Sequence, residues 1–519
     1  MSEKKKGYEY MRTKKSILNT VVAFASQFII ILLGFISRRV LIYSVGVEYL
    51  GINGLMTNIL TIFSLAESGI GTAIGYSLYK PLAENNIEKI KSLMNFYKKV
   101  YRALAVMTAG IGIAFYPFLP IFLKGNTAPD ANLIYLLFLF SSVCSYLWSY
   151  KITLNSSDQN KYLYTIANTL TQIAVLVIKI IVLKYTENYL LYLSIEIGST
   201  LLKNFIFSMI LDRRYPYLKE KNVQKLDDAT RKNLFTNIKA LFVGKIGYII
   251  SQCSDNLVIS AIVSVTAVGM YSNYSTLVSS VSGFVKTFTS GVTASMGNLI
   301  ASESREKSYE IYKKIDFINY WLYTFTAICL FCLIEPFIDL WLGADYVMSP
   351  AILILCVMLY YLQGINSGIE VVKNAAGLYQ PDRFVPMMEA ITNMIMSIIL
   401  AYKFGLAGVL FGTLFSFLVF SFWTKPYFVY RDIFKIRFIK YVKWEGKKIA
   451  IGLEIAVITY YIQSKIQLSN LVLNFLIKGI MSAILSNGLL LMIYYRSDEF
   501  EYIKNLVKSM INKIKVSEK

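Results

Sequence analysis

The stretch VVAFASQFIIILLGFI, from Val21 to Ile36, carries no charge. It follows a basic start (Lys4, Lys5, Lys6, Arg12, Lys14, Lys15) and runs into the pair Arg38-Arg39. A helix needs about 20 mostly apolar residues to cross the hydrocarbon core, and this stretch with its flanks supplies them. Comparable runs recur from Leu133 to Trp148, Ala174 to Leu183, Ile328 to Ile334, Ala351 to Leu362 and Ile480 to Tyr495. The 519 residues are 55% hydrophobic and 16% charged, against about 25% charged in soluble proteins. The fold class is therefore an all-α integral membrane protein. No small-residue cleavage pattern follows the basic start, so the first apolar stretch reads as a retained helix rather than a signal peptide.

Candidate spans run near 16–44, 50–79, 101–123, 132–150, 162–183, 189–211, 236–262, 268–300, 315–342, 350–372, 384–402, 406–424, 449–463 and 471–495, about fourteen helices in all. With the amino terminus inside, the inner connections are Lys80 to Arg102, Arg213 to Lys232, Arg305 to Lys314 and Lys425 to Lys448, which are rich in lysine and arginine. The outer ones hold only Lys124, Lys184, Lys403 and Lys465 as basic residues. This alternation follows the positive-inside rule and places both termini in the cytoplasm of a multi-pass protein of the bacterial inner membrane. The net charge of +21 is then explained by topology and by contact with anionic membrane lipids, with no call for nucleic acid.

Local patterns return after a nearly constant interval. Pro117-Phe118 is matched by Pro336-Phe337, Gly51 by Gly269, Glu88-Lys89 by Glu306-Lys307, and Asn155-Ser-Ser by Asn374-Ala-Ala, each 218 or 219 residues on. The expected organisation is a duplication. A six-helix bundle over residues 1–212 is followed by a second over 213–436 and by two further helices with a cytoplasmic tail over 437–519. Six helices per repeat give both bundles the same orientation, related by a pseudo-twofold axis along the membrane normal, a geometry that suits alternating access to a central cleft.

Ionisable residues inside spans are costly unless they face a partner or a wet cavity. Arg38 and Arg39 lie in the first span, and the repeat sets Asp255 and Asn256 of the seventh opposite them. Glu67 lies mid-span in the second helix, with Lys286 next to its counterpart in the eighth. Two readings stand side by side. Arg38, Arg39 and Lys286 hold an anionic ligand in a cationic cleft, guanidinium being suited to bidentate phosphate contacts; or Arg38 or Arg39 pairs with Asp255, and Lys286 with Glu67, as structural ion pairs. Lys203, Glu196 and Lys245 are further candidates, although Lys245, like Lys179, has a simple snorkelling alternative. The i,i+3 pair Glu370 and Lys373 reads as a local ion pair, and Glu454 with Lys478 as another.

The five cysteines (Cys144, Cys253, Cys329, Cys332, Cys356) all sit in apolar runs and read as core. Histidine is absent, which removes the commonest metal ligand and general base. No enzymatic activity, metal or cofactor is expected.

The stretches Ser37-Arg38-Arg39 to Gly46, Glu48-Tyr49-Leu50-Gly51, Leu65-Ala66-Glu67-Ser-Gly69-Ile-Gly71 and Tyr79-Lys80-Pro81-Leu82 resemble the Wzx-type polysaccharide flippases. Asp255-Asn256-Leu257, Val268-Gly269-Met-Tyr271 and Asn374-Ala-Ala-Gly377 extend the resemblance along the chain. That family shares a superfamily with the lipid II flippases and the MATE exporters. The resemblance implies a fourteen-helix carrier that turns over undecaprenyl-pyrophosphate-linked oligosaccharide through a cationic cavity, for capsule, O-antigen or other surface polysaccharide. A polymerase and other assembly proteins are the implied partners, and the carrier is expected to be a monomer. The rival readings are a MATE-like exporter of small molecules, a polysaccharide polymerase or ligase, and a scaffold for glycan synthesis. Against the exporter, the first helix holds only its arginine pair where an acidic residue is expected. Against the polymerase, no large outer loop is present.

Overall fold

The structure, a computed structural model, describes residues 3–505 apart from 126–127, 129, 159, 221–222, 225, 227–230, 233, 235–248, 251–252, 291–295, 297–302, 379–380, 467 and 503. The described residues are helical throughout, without strands. In chain order the helices are α1 (Glu3–Val45), α2 (Val47–Phe63), α3 (Leu65–Ala83), α4 (Ile87–Phe115), α5 (Ala131–Ser157), α6 (Lys161–Thr186) and α7 (Tyr189–Arg214). After α8 (Cys253–Val263) come α9 (Val265–Ser290), α10 (Arg305–Leu342), α11 (Pro350–Ala375), α12 (Val385–Val419), α13 (Ser421–Phe428), α14 (Ile439–Ser464) and α15 (Leu471–Tyr494). Nine stretches among the described residues are long and apolar enough to span a membrane. Their outward faces are apolar, as at Val106, Leu170, Ile399 and Ile484, which is what lipid rather than water demands.

Several basic segments expected as connections are helical. The stretch from Lys80 to Arg102 is largely the first half of α4, held by the Asn86 side chain, which accepts from the Lys89 N–H. Its face Ile90, Leu93, Met94 and Tyr97 is buried, so these turns are amphipathic extensions of a span. The stretch from Arg305 to Lys314 likewise opens α10, capped by Ser304. The expected span 50–79 is broken instead of continuous. The Ser64 hydroxyl donates to the carbonyls of Leu60 (2.9 Å) and Thr61 (3.2 Å), and such back-bonding bends helices. Glu67 therefore sits in the first turn of α3, just past the break. Within α12, Gly405 adopts φ 57° and ψ −135°. This kink separates the two spans expected at 384–402 and 406–424.

The chain divides into two compact units, Met1–Gly269 and Met270–Lys519. In the first, α1 packs along α6, α4 along α5, and α5 and α6 along α7. One core cluster centres on Ile52, Leu55, Ile134 and Tyr135, a second on Leu78, Leu93, Tyr97 and Leu154. In the second unit α10 packs along both α11 and α15. The α15 contact runs from Phe337 against Phe475 to Phe317 against Tyr494, with the Trp321 indole donating to Asn487 Oδ1 at 2.9 Å between them. All five cysteines are free, with Cys253, Cys332 and Cys356 buried and the other two partly so.

The sequence interval reappears in the helix boundaries. Val47 and Val265 open α2 and α9, Ile87 and Arg305 open α4 and α10, and Ala131 and Pro350 open α5 and α11. Within the first unit, the opening turns of α2 and α9 cross at glycines. A Cβ placed on Gly51 would lie 2.1 Å from the Val265 carbonyl oxygen, and one on Gly269 would lie 2.3 Å from that of Val47. Both glycines and both valines are 218 residues apart, so the contact is reciprocal.

Candidate functional site

The first unit contains two adjoining cavities. One, of about 600 Å³, is lined among others by Thr61, Ser64, Glu67, Tyr101, Thr153 and Tyr164. The other, of about 380 Å³, shares Thr61 and Ser64 and reaches Asn53, Ser145 and Glu196. Their walls come from α2, whose Asn53, Thr57 and Thr61 recur at every fourth position, and from α5, whose Ser141, Ser145, Ser149 and Thr153 do the same. That spacing lines up one face of each helix. The break at Ser64 turns Glu67 into the larger cavity, within electrostatic reach of Tyr101 and Tyr146.

The two arginines part company. Consecutive residues on a helix do not share a face. Arg38 is half-buried and close to Tyr192, whereas Arg39 is exposed, 5.6 Å from the ring of the equally exposed Tyr43. Around Arg38 the Ser37 hydroxyl shares a 3.0 Å hydrogen bond with Tyr192. Tyr192 stacks on Tyr189, and the Tyr189 hydroxyl accepts from Asn53 at 3.3 Å, at the cavity wall. Lys179 does not snorkel outward. It is 8% exposed, lies 3.9 Å from the Tyr192 ring centroid and donates to Glu196 at 2.7 Å. Two cations, Arg38 and Lys179, thus back the smaller cavity.

Lys203 borders the larger cavity, donating to Asn168 Oδ1 at 2.5 Å and lying 5.3 Å from the Tyr164 ring. Asp255 and Asn256 are half-buried on α8; the Asn256 side-chain oxygen is buried with no hydrogen-bond partner among the described residues. Lys245 lies outside the described residues.

In the second unit, Lys286 is exposed on α9, and its charge acts on Glu370 together with those of Lys373 and Lys425. The expected local pair between Glu370 and Lys373 does not form. Glu370 pairs with Lys425, and Lys373 with Asp382, because partners on facing helices come closer than the i,i+3 neighbour. Glu454 is exposed and makes no ion pair with Lys478. Sequence reasoning missed the most buried charges altogether. Lys448 on α14 donates to Asp316 on α10 at 2.7 Å and to Glu445 at 2.6 Å, and the Trp444 indole donates to Asp316 at 2.9 Å. All three charged side chains are at most 2% exposed. The i,i+3 spacing of Glu445 and Lys448 was the available signal, but Lys448 counted only as a basic connection residue.

A family model described as polysaccharide biosynthesis protein matches residues 16–294. No curated protein sequence matches the chain. Among solved structures the chain is similar to the lipid II flippase MurJ in an inward closed conformation, with a TM-score of 0.65 and 15% identity over 92% of this chain and 99% of that one. It is also similar to an inward-facing multidrug resistance MATE family transporter of the MOP superfamily (TM-score 0.58, 13% identity, 77% of this chain and 94% of that one). A third is the MATE multidrug transporter DinF-BH (TM-score 0.53, 17% identity, 81% of this chain and 97% of that one). At these identities the likeness establishes the fold.

Proposed function

Because this chain belongs to the polysaccharide biosynthesis protein family, that of the Wzx-type flippases, we propose that it translocates undecaprenyl-pyrophosphate-linked oligosaccharide across the bacterial cytoplasmic membrane by alternating access. Both termini are cytoplasmic in this reading, and the two six-helix repeats and the appended pair are its working parts. The observation that carries it is the family match over residues 16–294, the part of the chain that holds Arg38, Arg39, the cavities of the first unit and Lys286.

The physical task is clear. A diphosphate and a string of sugars cannot cross hydrocarbon alone, since even one charge at the bilayer centre costs about 3 kcal/mol or more. A wet polar cleft replaces their hydration while the lipid tail stays in the bilayer. Arg38 is the leading candidate for the diphosphate, being half-buried next to the cavity wall and permanently charged. Arg39 and Lys286, both exposed, are secondary contacts, and Asp255 and Asn256 of α8 complete the candidate set. No covalent step is required.

The test is transbilayer movement of a polyprenyl-diphosphate sugar in proteoliposomes, together with surface polymer in cells lacking the gene. We expect Arg38→Ala to slow movement about tenfold or more, the loss of one charge-assisted contact, and Arg39→Ala to slow it less. An Arg38→Ala protein that moves the lipid at the wild-type rate removes the anion-site role. A wild type that moves no lipid-linked sugar removes the function. One observation favours a second reading: Glu67 and Glu196 line the first-unit cavities, and carboxylates suit a cationic cargo, as in export of small molecules. Accumulation of a cationic dye in cells lacking other exporters separates the two.

A further inference from the structure

The walls of the first-unit cavities have a polarity that residue names alone conceal. Six of their hydroxyls are already committed as donors to carbonyls of their own helices. Thr57 donates to Asn53, Thr61 to Thr57 and Ser64 to Leu60 on one wall, at 2.7–2.9 Å. On the facing wall Ser145 donates to Ser142, Ser149 to Ser145 and Thr153 to Ser149, at 2.7–3.0 Å. A hydroxyl has one proton and two lone pairs, so each of these groups turns only lone pairs to the cavity. The Tyr164 hydroxyl is spent in the same way on Asn204. Glu67 and Glu196 add carboxylate oxygens. The cavity surface is rich in acceptors and poor in donors, and among the described residues no lysine or arginine lines it.

An ionised diphosphate is itself acceptor-only and is repelled by such a wall. A sugar is the complementary partner, since every ring hydroxyl brings a proton, and an amino or acetamido group brings more. We propose that this hydroxyl-lined cavity between α2, α3 and α5 is the glycan subsite, selective for donor-rich sugars, and that it takes no part in holding the diphosphate. This rests on the flippase reading above and adds a division of labour to it: acceptor oxygens read the sugar, and the cations around Arg38 hold the phosphates. A glycan can also rotate within a surface of weak, similar acceptors, which suits a carrier that must release its cargo.

The experiment uses the full-length protein in lipid nanodiscs with two probes, polyprenyl diphosphate bearing one N-acetylhexosamine and the same carrier without sugar. The variant is Thr57→Val/Thr61→Val/Ser145→Ala, which keeps volume and removes three acceptors; its melting midpoint checks the fold. Wild type should bind the sugar-bearing probe about tenfold or more tightly than the bare one, the worth of a few hydrogen bonds. The triple variant should lose that preference while holding the bare carrier as wild type does. An unchanged preference in a folded triple variant overturns the glycan subsite and leaves the flippase reading standing. An equal loss for both probes overturns it too, because the wall would then hold the phosphates. A wild type that binds neither probe brings down both readings. Should the triple variant not fold, Ser149→Ala alone decides in the same way on a smaller ratio.

Discussion

The helix pairs α4–α5 and α10–α11 begin 218 and 219 residues apart, yet they live in different surroundings. In their most apolar stretches 28% of residues are buried in each of α4 and α5, against 44% in α10 and 67% in α11. The first unit leaves a polar cavity where α2 breaks and α3 begins; in the second, α9 passes the corresponding point, Ser282, without interruption. The second unit also has covering that the first lacks. Tyr361 of α11 fits beneath Gly452 of α14, where an added Cβ would come within 2.4 Å of the tyrosine oxygen, and Lys448 is inserted between two carboxylates. One repeat has kept room for a ligand, and the other has been filled and fastened.

That contrast is easiest to break at its most buried charge. Lys448→Met strands Asp316 and Glu445 in an interior where they are 1% and 2% exposed, and should cost about 3–5 kcal/mol. The fall appears as a loss of melting midpoint in detergent. Neutralising all three groups together, with Asp316→Asn, Glu445→Gln and Lys448→Met, should recover most of it. A single variant as stable as wild type would mean that the staple does not fasten the second unit.

Next come the crossing glycines. Gly51→Ala drives a methyl into a backbone carbonyl that has no rotamer to retreat to, for about 1–3 kcal/mol. Because the contact is reciprocal, Gly269→Ala should cost the same within about 0.5 kcal/mol. Unequal losses by chemical denaturation would show the symmetry to be one of spacing only.

In the first unit, Lys179→Met removes a buried cation whose partner Glu196 is 46% exposed and can turn to water. A loss near 1 kcal/mol is expected, well below that of Lys448, and a loss as large would erase the distinction between the units. Smallest is Lys307→Ala, in an exposed i,i+4 pair with Glu303, at no more than about 0.5 kcal/mol.

What the sequence made legible followed from period and polarity. Apolar runs identified the helices, and the 218-residue interval anticipated where α9, α10 and α11 begin. The kink at Gly405 was visible as a gap between two spans. Pairing across helices was not legible, because spacing along one helix says nothing about the neighbour that approaches it. Glu370 reached Lys425 instead of Lys373, and Asp316 met a lysine 132 residues away. The break at Ser64 was hidden for a related reason: its hydroxyl competes for backbone carbonyls inside a stretch whose apolarity argued for continuity. The cavity hydroxyls were present in the sequence as every-fourth-residue rows, but charge drew the eye first.

The reciprocal contact of Gly51 with Val265 and Gly269 with Val47 is the signature of a surface that once met its own copy. In a homodimer of half-length chains, a residue on the twofold axis faces its equivalent, and any mutation there is suffered twice. Fusion of two such copies lifts that penalty, because each side can then change alone. The glycines at the crossing have stayed alike where both must be small, while Ser64 and Ser282, at matching positions further along, now serve a broken helix and an unbroken one.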